Sequence, residues 1–149
     1  MSADPVEDIA DALVEFLNGD KSEWLDQPDI AFVAVKDSDP TQRLTVENLS
    51  TVQVFVAPFG ETAQKIGRGG QALETYQVFL LIVRGVNDQF TRTKLAEFAR
   101  QLKLAVRRGG KMAGYHWRGD ETTAKYQLEA LQQVDHFASA VRFDYSGTA

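Results

Sequence analysis

The sequence predicts an α+β domain, a mostly antiparallel sheet with a long β-hairpin and two main helices packed on it. Three observations predict this. Two apolar runs, Thr51–Pro58 and Thr75–Gly85, have strand character and are joined by the glycine-bearing segment Phe59–Glu74. Two other segments repeat their apolar residues at helical spacing. A last run, Phe137–Tyr145, alternates like a strand. With 149 residues, the chain is expected to form one domain over 1–149, with the hairpin connection 59–74 projecting from it.

The first helix starts at Asp4-Pro5-Val6-Glu7. Asp4 suits the N-cap, Pro5 the first helical position, and Glu7 completes a capping box. Val6, Ile9, Ala10, Leu13, Phe16 and Leu17 then share one face, and Asp8, Asp11 and Glu15 the other. Asn18-Gly19 is the expected stop. Asp20–Asp29 reads as a polar connection holding Trp24 and Leu25, and Ile30–Val35 as a strand apolar on both faces. Asp37–Gln42 reads as a loop, and Leu44, Val46 and Leu49 as a short irregular or strand-like lead into the hairpin.

In the hairpin, Val52, Val54 and Val56 oppose Gln53, Phe55 and Ala57, and Pro58 is expected to end the pairing. Tyr76, Val78, Leu80 and Ile82 oppose Phe79, Leu81 and Val83. Both faces of this pair are apolar, so both need cover; helices can cover one, and a helix, a second sheet or another subunit the other. Asn87–Phe90 turns the chain and Thr91 caps a second helix with the stripe Leu95, Phe98, Ala99, Leu102 and Val106. Arg107-Arg108-Gly109-Gly110 closes that helix. Lys111–Tyr126 is turn-rich with room for a short strand, and Leu128–Val134 fits a helical turn or an extended run. The link from Val83 to Phe137 leaves parallel and antiparallel return both open.

Composition narrows the function classes. There is no cysteine, which excludes disulfides and thiolate metal sites. No apolar run reaches the roughly 18–20 residues of a membrane helix, and Met1–Pro5 has no signal-peptide character. Folding in the cytoplasm is the expectation. The net charge of −5 is unevenly spread. Residues 1–39 hold eleven acids and two bases, whereas residues 84–118 hold nine bases and two acids. Opposed patches of this kind attract within a molecule or between copies.

No catalytic constellation stands out. His116 and His136 lie outside any ligand spacing, and no serine sits in a nucleophile elbow. Gly67-Arg68-Gly69-Gly70 lacks the lysine and hydroxyl of a phosphate loop, and Arg118-Gly119-Asp120 reads as a loop. No cofactor or metal is expected. Arg100, Lys103 and Arg107 line one side of the second helix without interleaved aromatics, which suits an acidic protein surface better than nucleic acid. The acidic stripe Asp8, Asp11 and Glu15 of a neighbouring copy supplies one. Phe59, Ile66 and Leu73 give the hairpin connection apolar anchors, and Lys65 and Arg68 give it charge; a connection of this length is expected to reach a partner.

One ordered series of segments resembles a known family. It runs from Leu13–Asn18, ending in a leucine-asparagine pair, through Leu49–Thr51 into Val52–Pro58, then Tyr76–Val83, Lys94–Arg108 and Phe137–Tyr145. In this series the chain resembles the bacteriophage tail terminator (tail-completion) proteins. Asp20–Asp29 and Lys111–Val134 align to no pattern. The resemblance implies a structural virion protein without catalysis, assembled in the host cytoplasm. It implies a ring of copies, commonly a hexamer, that caps the head-proximal end of the tail tube, stops its growth and meets the head connector. DNA would only pass through the lumen. The alternatives are another neck or head-closure component, a tail-tube subunit, or a small enzyme or ligand-binding domain with a pocket under Tyr115–Trp117 lined by His116 and Asp120.

Overall fold

The computed structural model describes residues 4–27, 30–37, 50–65, 72–122 and 135–147. The expectations for Leu44, Val46, Leu49, Ile66, Arg68, the 67–70 glycine segment and 128–134 lie outside these residues. The elements run α1 (Pro5–Asn18), β1 (Ala34–Lys36), β2 (Gln53–Lys65), β3 (Ala72–Gly85), α2 (Arg92–Gly109), β4 (Lys111–Met112), β5 (Tyr115–Thr122) and β6 (His136–Ser146). The six strands form one sheet in the order β1-β2-β3-β6-β5-β4. Among the described residues, only β1 and β2 pair in parallel. The return from β3 to β6, open in the sequence, is antiparallel.

Both helices begin as their sequences dictate. Asp4 Oδ1 accepts from the Val6 and Glu7 amides, and the Thr91 hydroxyl accepts from Lys94 N. Val6, Ile9, Leu13 and Leu17 of α1, and Leu95, Phe98, Leu102 and Val106 of α2, are buried in one cluster. That cluster also contains Val54, Val56, Val78, Leu80, Ile82, Val141, Phe143 and Tyr145, so both helices lie on the same face of the sheet. Each fully buried aliphatic side chain there contributes about 1.5–3 kcal/mol before ordering costs.

The first helix stops at Asn18-Gly19 as expected, but Gly19 is not left-handed; its φ of −77° needs no glycine. Asn18 fixes the end instead. Its side-chain amide donates to Ala34 O at 2.9 Å and accepts from Ala34 N at 2.7 Å, pairing with β1 as a strand would. Ala34 is buried, so Asn18→Ala leaves two main-chain groups without their partners. The expected cost is about 2 kcal/mol, read as a shift in urea midpoint at unchanged slope.

Three sequence expectations need correction. First, the hairpin strands are longer than Thr51–Pro58 and Thr75–Gly85. Pairing passes Pro58 through a register shift between Pro58 and Gly60 and runs on to Lys65↔Ala72. Among the described residues β1 pairs no further than Val56, so Pro58 has no strand on that side and sits beside a bulge, where proline is tolerated. Most of Phe59–Glu74 is thus a two-stranded arm. The arm extends beyond β6, whose last pair with β3 is Thr75↔Ser146. Second, Ile30–Val35 forms a strand only from Ala34. Ile30, Phe32 and Ala34 are buried, while Val33 and Val35 are exposed. Third, Arg118-Gly119-Asp120 is not a loop but part of β5, turned in from β4 by Ala113 and Gly114, both at positive φ.

The second face of the sheet carries Phe55, Leu81, Val83 and Ala140 as a separate small cluster, with Phe79 and Ala138 packed against it. Neither helix contributes to it. Its margins are apolar and exposed, at Val33, Val35 and Phe59, the last set edge-on to Phe79 with ring centroids 4.9 Å apart.

Candidate functional site

The two charged stripes noted in the sequence are placed by the strand order. On α1, Lys36 of β1 donates to Asp11 Oδ1 at 2.7 Å and to Glu7 Oε2 at 3.0 Å. These bonds, from Asp11 first and then Glu7, raise the Lys36 pKa. The acidic stripe therefore lies over the β1 edge, with Glu15 exposed and Asp8 half-buried.

On α2, Lys103 Nζ reaches the Thr122 hydroxyl of β5 at 3.4 Å. Arg107 makes a two-pronged bond to Asp120 of β5, Nε to Oδ2 at 2.6 Å and Nη2 to Oδ1 at 2.7 Å. The basic stripe therefore lies toward β5, on the far side of the sheet from β1. Arg100 is exposed and pairs with Glu97 at 3.4 Å, one turn away.

Not every candidate residue is equally available to a partner. The Asp120 side chain is 2% exposed, and the Arg107 guanidinium that neutralises it also lies 6.0 Å from the Trp117 ring. Arg107 belongs to this internal pair, and the bond to Asp120 raises its pKa. Asp11 is likewise engaged by Lys36. Arg84, counted among the bases of 84–118, is buried with its guanidinium 4.0 Å from the Phe90 ring centroid. Arg92 pairs with Asp135 and Arg118 with Ser146. Arg107 stays exposed but its charge is committed to Asp120, which leaves Arg100 and the half-buried Lys103 as the stripe's cations for a partner. Phe59 is exposed at the base of the arm; Lys65 and Leu73 pair with Ala72 and Gln64 within it.

A cleft of about 290 Å³ opens beside this stripe, between α2 and β6. Its walls are Ala96, Ala99, Phe137 and Val141, and Arg100 and Lys103 stand among them. A second, more polar cleft of about 260 Å³ lies on the other flank of α2, by Trp24, Asp26 and Gln101. Neither is lined by His116 or Asp120, the residues a pocket by Tyr115–Trp117 would use. Among the described residues, no group of three histidine, aspartate or glutamate side chains is placed to hold a metal. The cleft was not legible in the sequence because its lining includes Ala96, Ala99 and Ala138, which carry no motif.

Tyr145 adds one pH-sensitive feature. It is fully buried, and burial first, then the nearby Asp120 charge, push its hydroxyl pKa well above the ordinary phenol value. The folded state therefore holds a proton that the unfolded chain releases above about pH 10. The stability tied to Tyr145 is fully present below that pH and is lost as pH rises further. Unfolding free energy is expected to fall progressively as pH rises above about 10. Tyr145→Phe should lessen that fall, and absorbance titration should show one late-ionising tyrosine.

The fold and these surfaces define an α+β domain with oppositely charged stripes at opposite sides of one helix layer. Searches against protein-family models and curated proteins gave no match to the chain. Among the described residues, no helix is long and apolar enough to cross a membrane.

Proposed function

We propose that this chain is a structural subunit that assembles head to tail into a ring, of the kind that caps a phage tail tube. The observation that carries the reading is the placement of charge. The acidic stripe of α1 lies over β1, and the basic residues of α2 face β5, toward the other side of the sheet. Two different patches of one subunit, complementary and set apart in this way, are what a heterologous, ring-closing contact requires. The projecting β2–β3 arm supplies a further surface for a neighbour, the tube or the connector. The resemblance to tail terminators supports the specific role: stopping tube growth and receiving the head connector, with DNA passing through the lumen. The ring would be incorporated into the virion.

Electron microscopy of the purified protein, alone and with tail tubes, tests the role. Rings seated at tube ends are expected; a monomer in both samples refutes it. Charge exchange tests the contact. Arg100→Glu with Lys103→Glu makes both sides acidic, and Asp8→Lys with Glu15→Lys makes both basic. Each pair of substitutions is expected to block self-assembly. An equimolar mixture should restore it, in rings of even subunit number only. Assembly of the parent should weaken as salt rises, because exposed charges are screened within roughly 10 Å at 0.1 M. Light scattering reads each of these outcomes.

A further inference from the structure

We infer that the cleft between α2 and β6 is the seat for the β1 edge of a second copy, with an exposed valine of that edge entering it. The inference rests on the head-to-tail reading and adds an apolar component to the charge contact. The cleft lies beside Arg100 and Lys103, the two stripe cations not bound to Asp120, and its walls are mainly apolar, with Ala96, Ala99, Phe137 and Val141 beside Thr122 and Ser139. A charged rim around an apolar floor matches a counterpart with carboxylates next to an aliphatic group.

The other side of the same chain presents that combination. Val35 is 41% exposed on β1 and Val33, just before it, is 69% exposed. Over them lies α1 with Asp8 and Glu15. Val35 sits opposite Phe55, so it points away from the helices, and the acids lie on the helix side of the same edge. The edge thus offers a valine pair with carboxylates above it, and the cleft offers an apolar slot with cations at its mouth. The charges choose the partner and orientation, and burial of the valine supplies affinity. The contact buries the parts of Val33 and Val35 that are exposed in the single subunit.

Ala96→Trp tests the seat. Ala96 is exposed at the cleft wall, so the larger side chain can fill the slot without entering the core, and it leaves every charge unchanged. The concentration for half-assembly, measured by light scattering, is expected to rise about tenfold or more. Val33→Ser combined with Val35→Ser should raise it similarly from the opposite side. Thermal melting of the monomer checks that each variant is folded, and if Ala96→Trp is not, the valine variant decides alone. Should rings of the parent form and the folded variants assemble at the parent's concentration, the seat is overturned and the ring reading stands. Should the parent stay monomeric at low salt and high concentration, both fall.

Discussion

Arg107→Met is expected to destabilise the fold by about 3 kcal/mol, far more than a surface arginine would. Asp120 is 2% exposed and both its oxygens are held by the Arg107 guanidinium. Removing the cation leaves a carboxylate shut away from water with its neutralising charge gone. The cost belongs at the lower end of the range for buried pairs, because Arg107 keeps 40% exposure and water already solvates part of it. Asp120→Asn should cost less than Arg107→Met, since it leaves the cation on the exposed side. The double variant should recover part of the loss, and urea unfolding of the four proteins gives the coupling. If Arg107→Met changes stability by less than about 0.5 kcal/mol, Arg107 is a solvated surface residue after all. The same geometry explains why Arg107 is left out of the charge-exchange variants. Its reversal would unfold the subunit and imitate a loss of assembly.

Phe98→Ala should cost more, about 3–5 kcal/mol. Phe98 is fully buried on α2 and meets Phe32 edge-on, with ring centroids 5.3 Å apart. It ties the helix to the segment leading into β1. Truncation opens a cavity between elements that strands and caps hold in place, so collapse can refill little of it. Against a total stability of about 5–15 kcal/mol, the loss is severe. The melting temperature should fall by about 10 °C or more for a chain of this size. A fall of a degree or two would mean that α2 can settle into the space. The effect is also a control for assembly: Phe98→Ala weakens the fold without touching either charged stripe.

Much of this molecule was legible in its sequence. The α+β class, both helix starts, the apolar stripes of α1 and α2, and the alternation of β2, β3 and β6 follow from short-range rules. A cap reaches three residues, a helical face repeats every three or four, and a strand face every two. Asp4 and Thr91 cap because their neighbours' amides are within reach whatever the rest of the chain does. The opposition of acidic and basic segments was legible for the same reason, as a matter of composition along the chain.

The length of the arm was not legible. A proline and a glycine, Pro58 and Gly60, look like terminators until the strand beside them is known to have ended. Nor did the sequence show that Arg118-Gly119-Asp120 is strand, because β5 is held by β6, with Gly119 opposite Asp144 and Asp120 opposite Phe143. The Arg107–Asp120 pair, the Asn18 clamp on Ala34 and the cleft wall shared by Ala96 and Phe137 all join residues distant in sequence. By itself the sequence determined which segments are helix or strand and that the charges are segregated. The tertiary structure decided which charges are used up inside the subunit, and that the two stripes flank one helix layer on opposite sides. The physical reason is that periodicity and capping act over a few residues, whereas the strand order β1-β2-β3-β6-β5-β4 sets which distant side chains meet.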